Sequence, residues 1–341
     1  MSNAFTGQEQ TCFHAKVLDI HLDKVVDLLL DIFKNSLFKP EDIEREKMVV
    51  LQEISMVEDT PDEYVHVLFN QSFWGDNSLG RPILGDAEIV KGFDQSKIIG
   101  YMDKRYCPSR LVISAAGRLE HDRFVDLLRA PVEEMKQGNG HYQRQIPATR
   151  KVVNLHAKPL EQVHVCLGVR GPAAVDEFRY IDTLLSTILG GNMSSRLFQT
   201  IREERGLAYS VYSHVSTYSD VGLLGVYMGI RPDSLPEAMD LVFKEFDKLR
   251  AGQVNQSEMD AAKDYLKGSI LLSAESTDNR MSRLAKNELL FQRFVPLEDV
   301  LKRIDEVTID QLTERAEKKL DPRDVSVTIL GPWDKDLDFL P

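Results

Sequence analysis

Cysteine is scarce. Three residues in 341, Cys12, Cys107 and Cys166, stand far apart and odd in number. They exclude a disulfide framework and any Cys-x-x-Cys metal or redox site. Such usage fits a reducing compartment, and a cytoplasmic location is expected. Long apolar runs are missing too. None approaches the roughly 18 residues a membrane helix requires, so no membrane is expected as a partner. Positive charge is in deficit, with 42 Lys and Arg against 54 Asp and Glu and a formal net charge of −12. No basic cluster stands free of acids, which argues against nucleic acid as a partner. The acidic balance reads as a solvated surface, or at longer range as an attraction for basic ligands. The phosphate-binding loop, the Gly-x-Gly-x-x-Gly turn and the Gly-x-Ser-x-Gly elbow are all absent. Among eight histidines no two are four apart with a Glu between them, so neither order of the helical zinc-protease motif occurs.

What is present is a globular composition, 43% apolar and 28% charged, in a chain long enough for two domains. The polar stretch 137–150, with two Gly and one Pro, reads as a linker between domains at 1–136 and 151–341. In the second half, 151–156 and 162–169 are strand-like, and 176–189 carries Ile181, Leu184, Leu185 and Ile188 at helical spacing. A short helix at 194–204 and strands at 207–216 and 222–230 follow. Helical stretches come next at 233–250, 256–273, 277–291 and 297–320, the last with a break expected near Thr308. A strand at 325–330 closes the domain.

The first half repeats part of this order. Cys12–Leu18 resembles Gly225–Ile230, Val25–Leu29 resembles Ala238–Val242, Lys39–Ile43 resembles Asn255–Met259, and Leu111–Gly117 resembles Val325–Gly331. The expected fold is therefore α+β, with two homologous domains. Each is an antiparallel sheet with helices packed on one face. The second half spends about fifty residues, 151–205, on two strands and two helices for which the first half has no counterpart. The N-terminal domain is accordingly expected to be incomplete, with unpaired sheet edge and bare apolar surface.

Two places could carry chemistry. Glu46 and Glu53 lie seven residues apart on one predicted helix face. Spacing alone also allows a solvated acidic stripe. Their repeat equivalents, however, are the neutral Ala262 and Ser269, which suggests a task confined to one copy. The second place runs from Gly190-Gly191 through Ser194-Ser195 to Arg202 and Tyr209. There a helix stop, a cap, a forked cationic donor and a phenol follow in order. An Arg can grip a carbonyl or carboxylate, and a Tyr can donate to an oxyanion. A surface Arg beside a half-buried strand Tyr is the plainer alternative.

Five strings together resemble the pitrilysin/insulinase/mitochondrial processing peptidase family, in its bacterial processing-peptidase branch. They are Asn3-Ala4-Phe5-Thr6-Gly7, Glu44-Arg45-Glu46 with Leu51-Gln52-Glu53-Ile54, Glu58-Asp59-Thr60-Pro61, 79–85 and 190–209. The resemblance covers essentially the whole chain. It implies zinc held by an inverted His-x-x-Glu-His motif whose Glu is the general base, with Glu53 as the third ligand and Glu46 as a supporting acid. Three protein ligands and an open position for water suit a hydrolytic zinc. It also implies a substrate peptide added as a strand along Asn3, Ala4 and Phe5, with Arg202 and Tyr209 binding substrate carbonyls. The chain departs from the family pattern at one place: no His-x-x-Glu-His precedes Asn3. The expected full-length protein is thus a zinc metalloendopeptidase, and the chain as given is expected to hold no zinc and to be inactive. The alternative is a non-catalytic partner or scaffold subunit. Expected partners are extended peptides and a second chain, as a homodimer or a heterodimer with a catalytic subunit.

Overall fold

A computed structural model describes residues 1–138, 144–149, 151–338 and 340. In chain order its elements are β1 (Ser2–Thr6), β2 (Thr11–Ala15), α1 (Leu22–Asn35), α2 (Pro40–Glu58) and α3 (Pro61–Trp74), then α4 (Ala87–Lys91), α5 (Gln95–Arg105) and α6 (His121–Glu133). The second half continues with β3 (Val153–Ala157), β4 (Val163–Gly171), α7 (Arg179–Gly190), a π-helix (Phe198–Glu204), β5 (Ala208–Thr217) and β6 (Gly222–Ile230). It ends with α8 (Leu235–Arg250), α9 (Gln256–Ser273), α10 (Thr277–Phe291), α11 (Leu297–Asp305), α12 (Ile309–Lys319) and β7 (Ser326–Gly331). The fold is mixed helix and sheet, as expected. None of the described helices is long and apolar enough to cross a membrane.

The chain forms two compact units. One comprises 1–56, 82–145 and 273–294, and the other 57–81, 146–272 and 295–341. These are not the contiguous halves expected from the linker, which itself lies partly outside the described residues. The offset that aligns Ile43 with Met259 also aligns Pro61, which opens α3, with Thr277, which opens α10. Each of these equivalent helices belongs to the unit built mainly from the other half, a reciprocal exchange.

In the second unit five strands run in the order β3-β7-β4-β6-β5. All neighbours are antiparallel except β3 and β7. The period of two splits each strand between two faces. Val163, Val165, Leu167 and Val169 of β4 join Leu224, Val226, Met228 and Ile230 of β6 under α7 and α8. Cys166, Leu223, Tyr227 and Leu330 face the other way and meet Val65, Phe69, Phe73 and Trp74 of α3. Helices were expected on one face only. Helix α3 covers the second face, which explains why β6 is buried at every residue rather than at alternate ones. The helical break near Thr308 is present. Its hydroxyl caps α12 and Gln311 reaches back to the Thr308 amide, so the backbone turns at a satisfied cap.

In the first unit β1 and β2 form a two-stranded hairpin. Phe13 of β2 packs edge-on to Phe33 of α1, with ring centroids 6.2 Å apart. Leu111–Gly117 was expected to be a strand and is not one. An extended segment becomes a strand only when a neighbour completes its ladder, and no described strand does so here. Helix α10 is tied into this unit by Lys16 to Asp278 at 2.9 Å and by the Ser114 hydroxyl donating to the Met281 carbonyl at 3.0 Å.

Candidate functional site

The expected docking strand lies at an open edge. Met1 and Lys16 exchange both backbone hydrogen bonds, at 3.1 and 2.8 Å, and the Gly7 amide donates to Gln10 at 2.8 Å. In an antiparallel ladder such pairs alternate with pairs whose polar groups point away. Asn3 and Phe5 therefore turn their amides and carbonyls toward β2. Ser2, Ala4 and Thr6 turn theirs to the free side. No described strand pairs there. The outward Ala4 amide takes only the neighbouring Asn3 Oδ1, at 2.8 Å. Phe5 is 47% exposed, with its ring 6.0 Å from that of His14. The edge carries no proline and no charge, the usual devices that blunt an exposed strand.

Glu46 and Glu53 project from α2 into solvent about 10 Å apart along its axis. Their neighbours are occupied: Lys47 pairs with Glu44 at 2.6 Å and donates to the Lys91 and Phe93 carbonyls, while Arg45 pairs with Asp42. Glu46 and Glu53 form no hydrogen bond or ion pair with a described residue. Zinc needs at least three protein donors converging within about 2 Å of one point. Among the described residues no group of three or more His, Cys, Asp or Glu is placed to hold a metal ion. The residues present do not fit the metal. Glu53 stands as a single candidate ligand among the described residues.

In the second unit Arg202 and Tyr209 come together. The guanidinium lies 5.3 Å from the Tyr209 ring centroid and 4.6 Å from that of Phe198, held between two aromatic faces. Its closest carboxylate is Glu203 at 3.9 Å, so its donor fork is not consumed by a tight ion pair. Local structure produces this placement. The helix carrying Arg202 is wound as a π-helix, which rotates side chains relative to an α-helix and occurs often at functional positions. Gly206, at φ +61°, ends it in the left-handed region. Tyr209 is then the extra residue of a β-bulge, since Ala208 pairs with Ile230 and Ser210 with Gly229. A bulge breaks the alternation of the strand and re-aims one side chain. Tyr209 is 80% exposed, not half-buried as the plainer reading held. The π-helix is anchored by Arg196, whose guanidinium grips Glu258 with two bonds of 2.7 Å, with Glu245 at 3.6 Å. Gly190 is obligatory for close packing, because a Cβ there would meet the Ser213 amide at 2.6 Å.

Asn3, Ala4, Phe5, Glu46 and Glu53 belong to the first unit, and Arg202 with Tyr209 to the second. Sequence reasoning missed a polar cluster in the second unit. His66 of α3 bonds the Tyr212 hydroxyl through Nε2 at 3.0 Å and meets the Cys166 thiol through Nδ1 at 3.4 Å. His164 Nδ1 bonds the Tyr227 hydroxyl at 3.0 Å, and the His214 ring lies 5.8 Å from that of His66. Of these, His66, Cys166 and His214 line a cavity of about 150 Å³ together with Asn70, Ser216 and Tyr218. Burial pushes the Cys166 thiol up, the Tyr212 hydroxyl up to about 12 and the His66 imidazole down to about 4. A signal existed: His164 and Cys166 lie two apart on one face of the largely apolar β4, and Tyr212 and His214 two apart on one face of β5.

Comparison with known proteins agrees with the strings read above. The description "Insulinase (Peptidase family M16)" matches residues 1–87, and "Peptidase M16 inactive domain" matches residues 92–266. An uncharacterized zinc protease of Streptomyces coelicolor is 39% identical over 338 residues, covering 97% of this chain and 73% of that protein. An uncharacterized zinc protease of Bacillus subtilis is 37% identical over 337 residues, covering 97% and 80%. A crystal structure of a protease from Helicobacter pylori shares the fold, with a TM-score of 0.87 at 19% identity over 97% of this chain and 82% of that one.

Proposed function

Since the chain belongs to the insulinase family of peptidases, family M16, we propose that it is the peptide-docking portion of a zinc metalloendopeptidase that processes or degrades extended peptides. The observation that carries this reading is the open β1 edge, where Ser2, Ala4 and Thr6 turn amides and carbonyls outward. A peptide laid antiparallel on it gains backbone hydrogen bonds at every second residue. Affinity then comes from main chain and tolerates varied sequence. Arg202 offers a planar fork to a substrate carbonyl or carboxylate, and Tyr209 offers a hydroxyl beside it. In the full-length enzyme Glu53 is the third zinc ligand and Glu46 supports it. The residues of this chain bind peptide without cutting it, because the remaining ligands and a general base are not among them. The working unit is a dimer, either of like chains or with a catalytic subunit to which this chain lends Arg202 and Tyr209.

The test is Ala4→Pro. Proline removes an outward amide and no ladder bond to β2, a position where edge strands tolerate it. Calorimetry with an unstructured ten-residue peptide should show at least a tenfold loss of affinity with little change in Tm. Equal affinity in the variant and the parent chain would overturn the reading.

A further inference from the structure

The cluster around His66 plays no part in peptide docking, and its chemistry is unusual for a packed interface. One face of the five-stranded sheet is closed by a single helix, α3. Where that helix meets the strands the contact is not uniformly apolar. From α3 comes His66. From β4 come His164 and Cys166, from β5 come Tyr212 and His214, and from β6 comes Tyr227. Among the described residues the charged group that acts on this set is Asp62, at the first turn of α3. Its influence on His66 is smaller than that of burial and of His214.

The hydrogen bonds suit one protonation state. A neutral imidazole has one donor and one acceptor nitrogen. A thiol and a phenol can each donate or accept, so His66 is satisfied on both sides while neutral. An imidazolium donates from both nitrogens, which forces the Tyr212 hydroxyl and the Cys166 thiol both to accept. Neutral sulfur accepts poorly. The charge also sits 5.8 Å from a second imidazole, His214, whose Nδ1 is buried without a hydrogen-bond partner. His66 and His214 are each only partly covered, so water reaches these charges at the rim of the contact and through the adjacent small cavity, and full hydration of both follows when α3 lifts. Gly225 fixes the His214 ring in this position: a Cβ there would lie 2.6 Å from its Cε1.

We propose that α3 is an acid-releasable strap: protonation of His66, with His214 beside it, loosens the helix from the sheet and uncovers Cys166 while the opposite face stays packed. The opposite face is built to persist, because it holds the large apolar cluster under α7 and α8. At neutral pH burial keeps all three imidazoles uncharged and the strap closed.

Cys166 is a built-in reporter, since its thiol is fully covered and touches His66 Nδ1. The experiment follows labelling by 4,4′-dithiodipyridine between pH 7.5 and 4.5, with each cysteine quantified by peptide mapping and far-UV circular dichroism recorded in parallel. Cys107 is buried in the other unit and is the internal control. Cys166 labelling should accelerate at least tenfold as pH falls below about 5.5, with helicity retained and Cys107 unchanged. His66→Gln keeps a donor and an acceptor for Tyr212 and Cys166 but does not titrate, and it should flatten the profile. Adding His214→Asn should flatten it further. Labelling of Cys166 only together with loss of circular dichroism would overturn the proposal. An equal acceleration in the His66→Gln variant would overturn it as well.

Discussion

At the scale of the residue, Arg202 shows how a flexible cation becomes a positioned one. Two aromatic faces hold the guanidinium, each contact contributing about 0.5–1 kcal/mol at an exposed site. Arg202→Lys keeps the charge and loses both the planar stacking and the fork. Its peptide affinity should fall five- to tenfold with Tm within about 1 °C of the parent. Tyr209→Phe, which keeps the ring, should show what part of that loss belongs to the hydroxyl. Calorimetry separates the two, and a Lys variant of unchanged affinity would exclude Arg202 from substrate binding. His66 gives a second prediction at this scale. Its folded pKa of about 4 lies below the ordinary imidazole value of about 6.5, so the unfolded chain binds its proton more tightly. The group has no effect on stability above about pH 7. Stability then falls as pH drops through 6.5 toward 4, and the loss levels off below that at roughly 3 kcal/mol. Urea titrations at pH 7.5 and 5 should show this difference narrowed in His66→Gln. An identical difference in both chains would place the acid sensitivity elsewhere.

At the scale of the element, the turn between the π-helix and β5 decides where Tyr209 points. Gly206 holds φ +61° with open space around its missing Cβ. An alanine there meets no clash but must adopt a left-handed backbone, at a cost of about 1–2 kcal/mol. Gly206→Ala should lower Tm by a few degrees and weaken peptide binding in parallel, whereas a surface glycine with no such role would move neither. Elements of this kind differ in how plainly the sequence announces them. The break at Thr308 was readable because a threonine cap and Gln311 three residues on form a local motif. The pairing of Arg202 with Tyr209 was readable as a spacing, but the bulge that exposes Tyr209 was not, because it depends on register against β6. Leu111–Gly117 has the composition of a strand without a ladder partner, and composition cannot show that. The exchange of α3 and α10 was hidden for a related reason. Val65, Leu68, Phe69 and Phe73 announce that a face of α3 is buried, but not which sheet it meets. His66 sits beside that face, so its cluster with Cys166 and Tyr212 could not be assembled before the sheet was known.

At the scale of the whole molecule, the two units differ in what holds them together. Both large apolar clusters, including Leu184, Leu189, Met228 and Met239 on one face and Phe69 and Trp74 on the other, lie in the second unit. The buried apolar residues of the first unit are Val26, Ile43, Val90, Cys107 and Phe124 among those described. Meanwhile Ile20, Leu37, Met48 and Met56 of that unit are each more than 60% exposed. Full burial of one such side chain contributes about 1.5–3 kcal/mol, so a handful of buried residues offsets little of the ordering entropy of more than a hundred. A two-stranded hairpin adds little by itself. The second unit also has the Asp182–Arg315 pair, buried between α7 and α12 with two bonds of 2.6 Å. Asp182→Asn would leave the guanidinium without its countercharge and should destabilise this unit by about 3–5 kcal/mol. The first unit should therefore open at lower free energy than the second. Hydrogen exchange in increasing urea should release the amides of α1, α2, α5 and β1 first, while those of β4, β6 and α7 persist. Asp182→Asn should lower the second transition and leave the first in place. A single transition shared by all these amides would mean that the first unit takes its stability from the second, and both transitions would then move together in the variant.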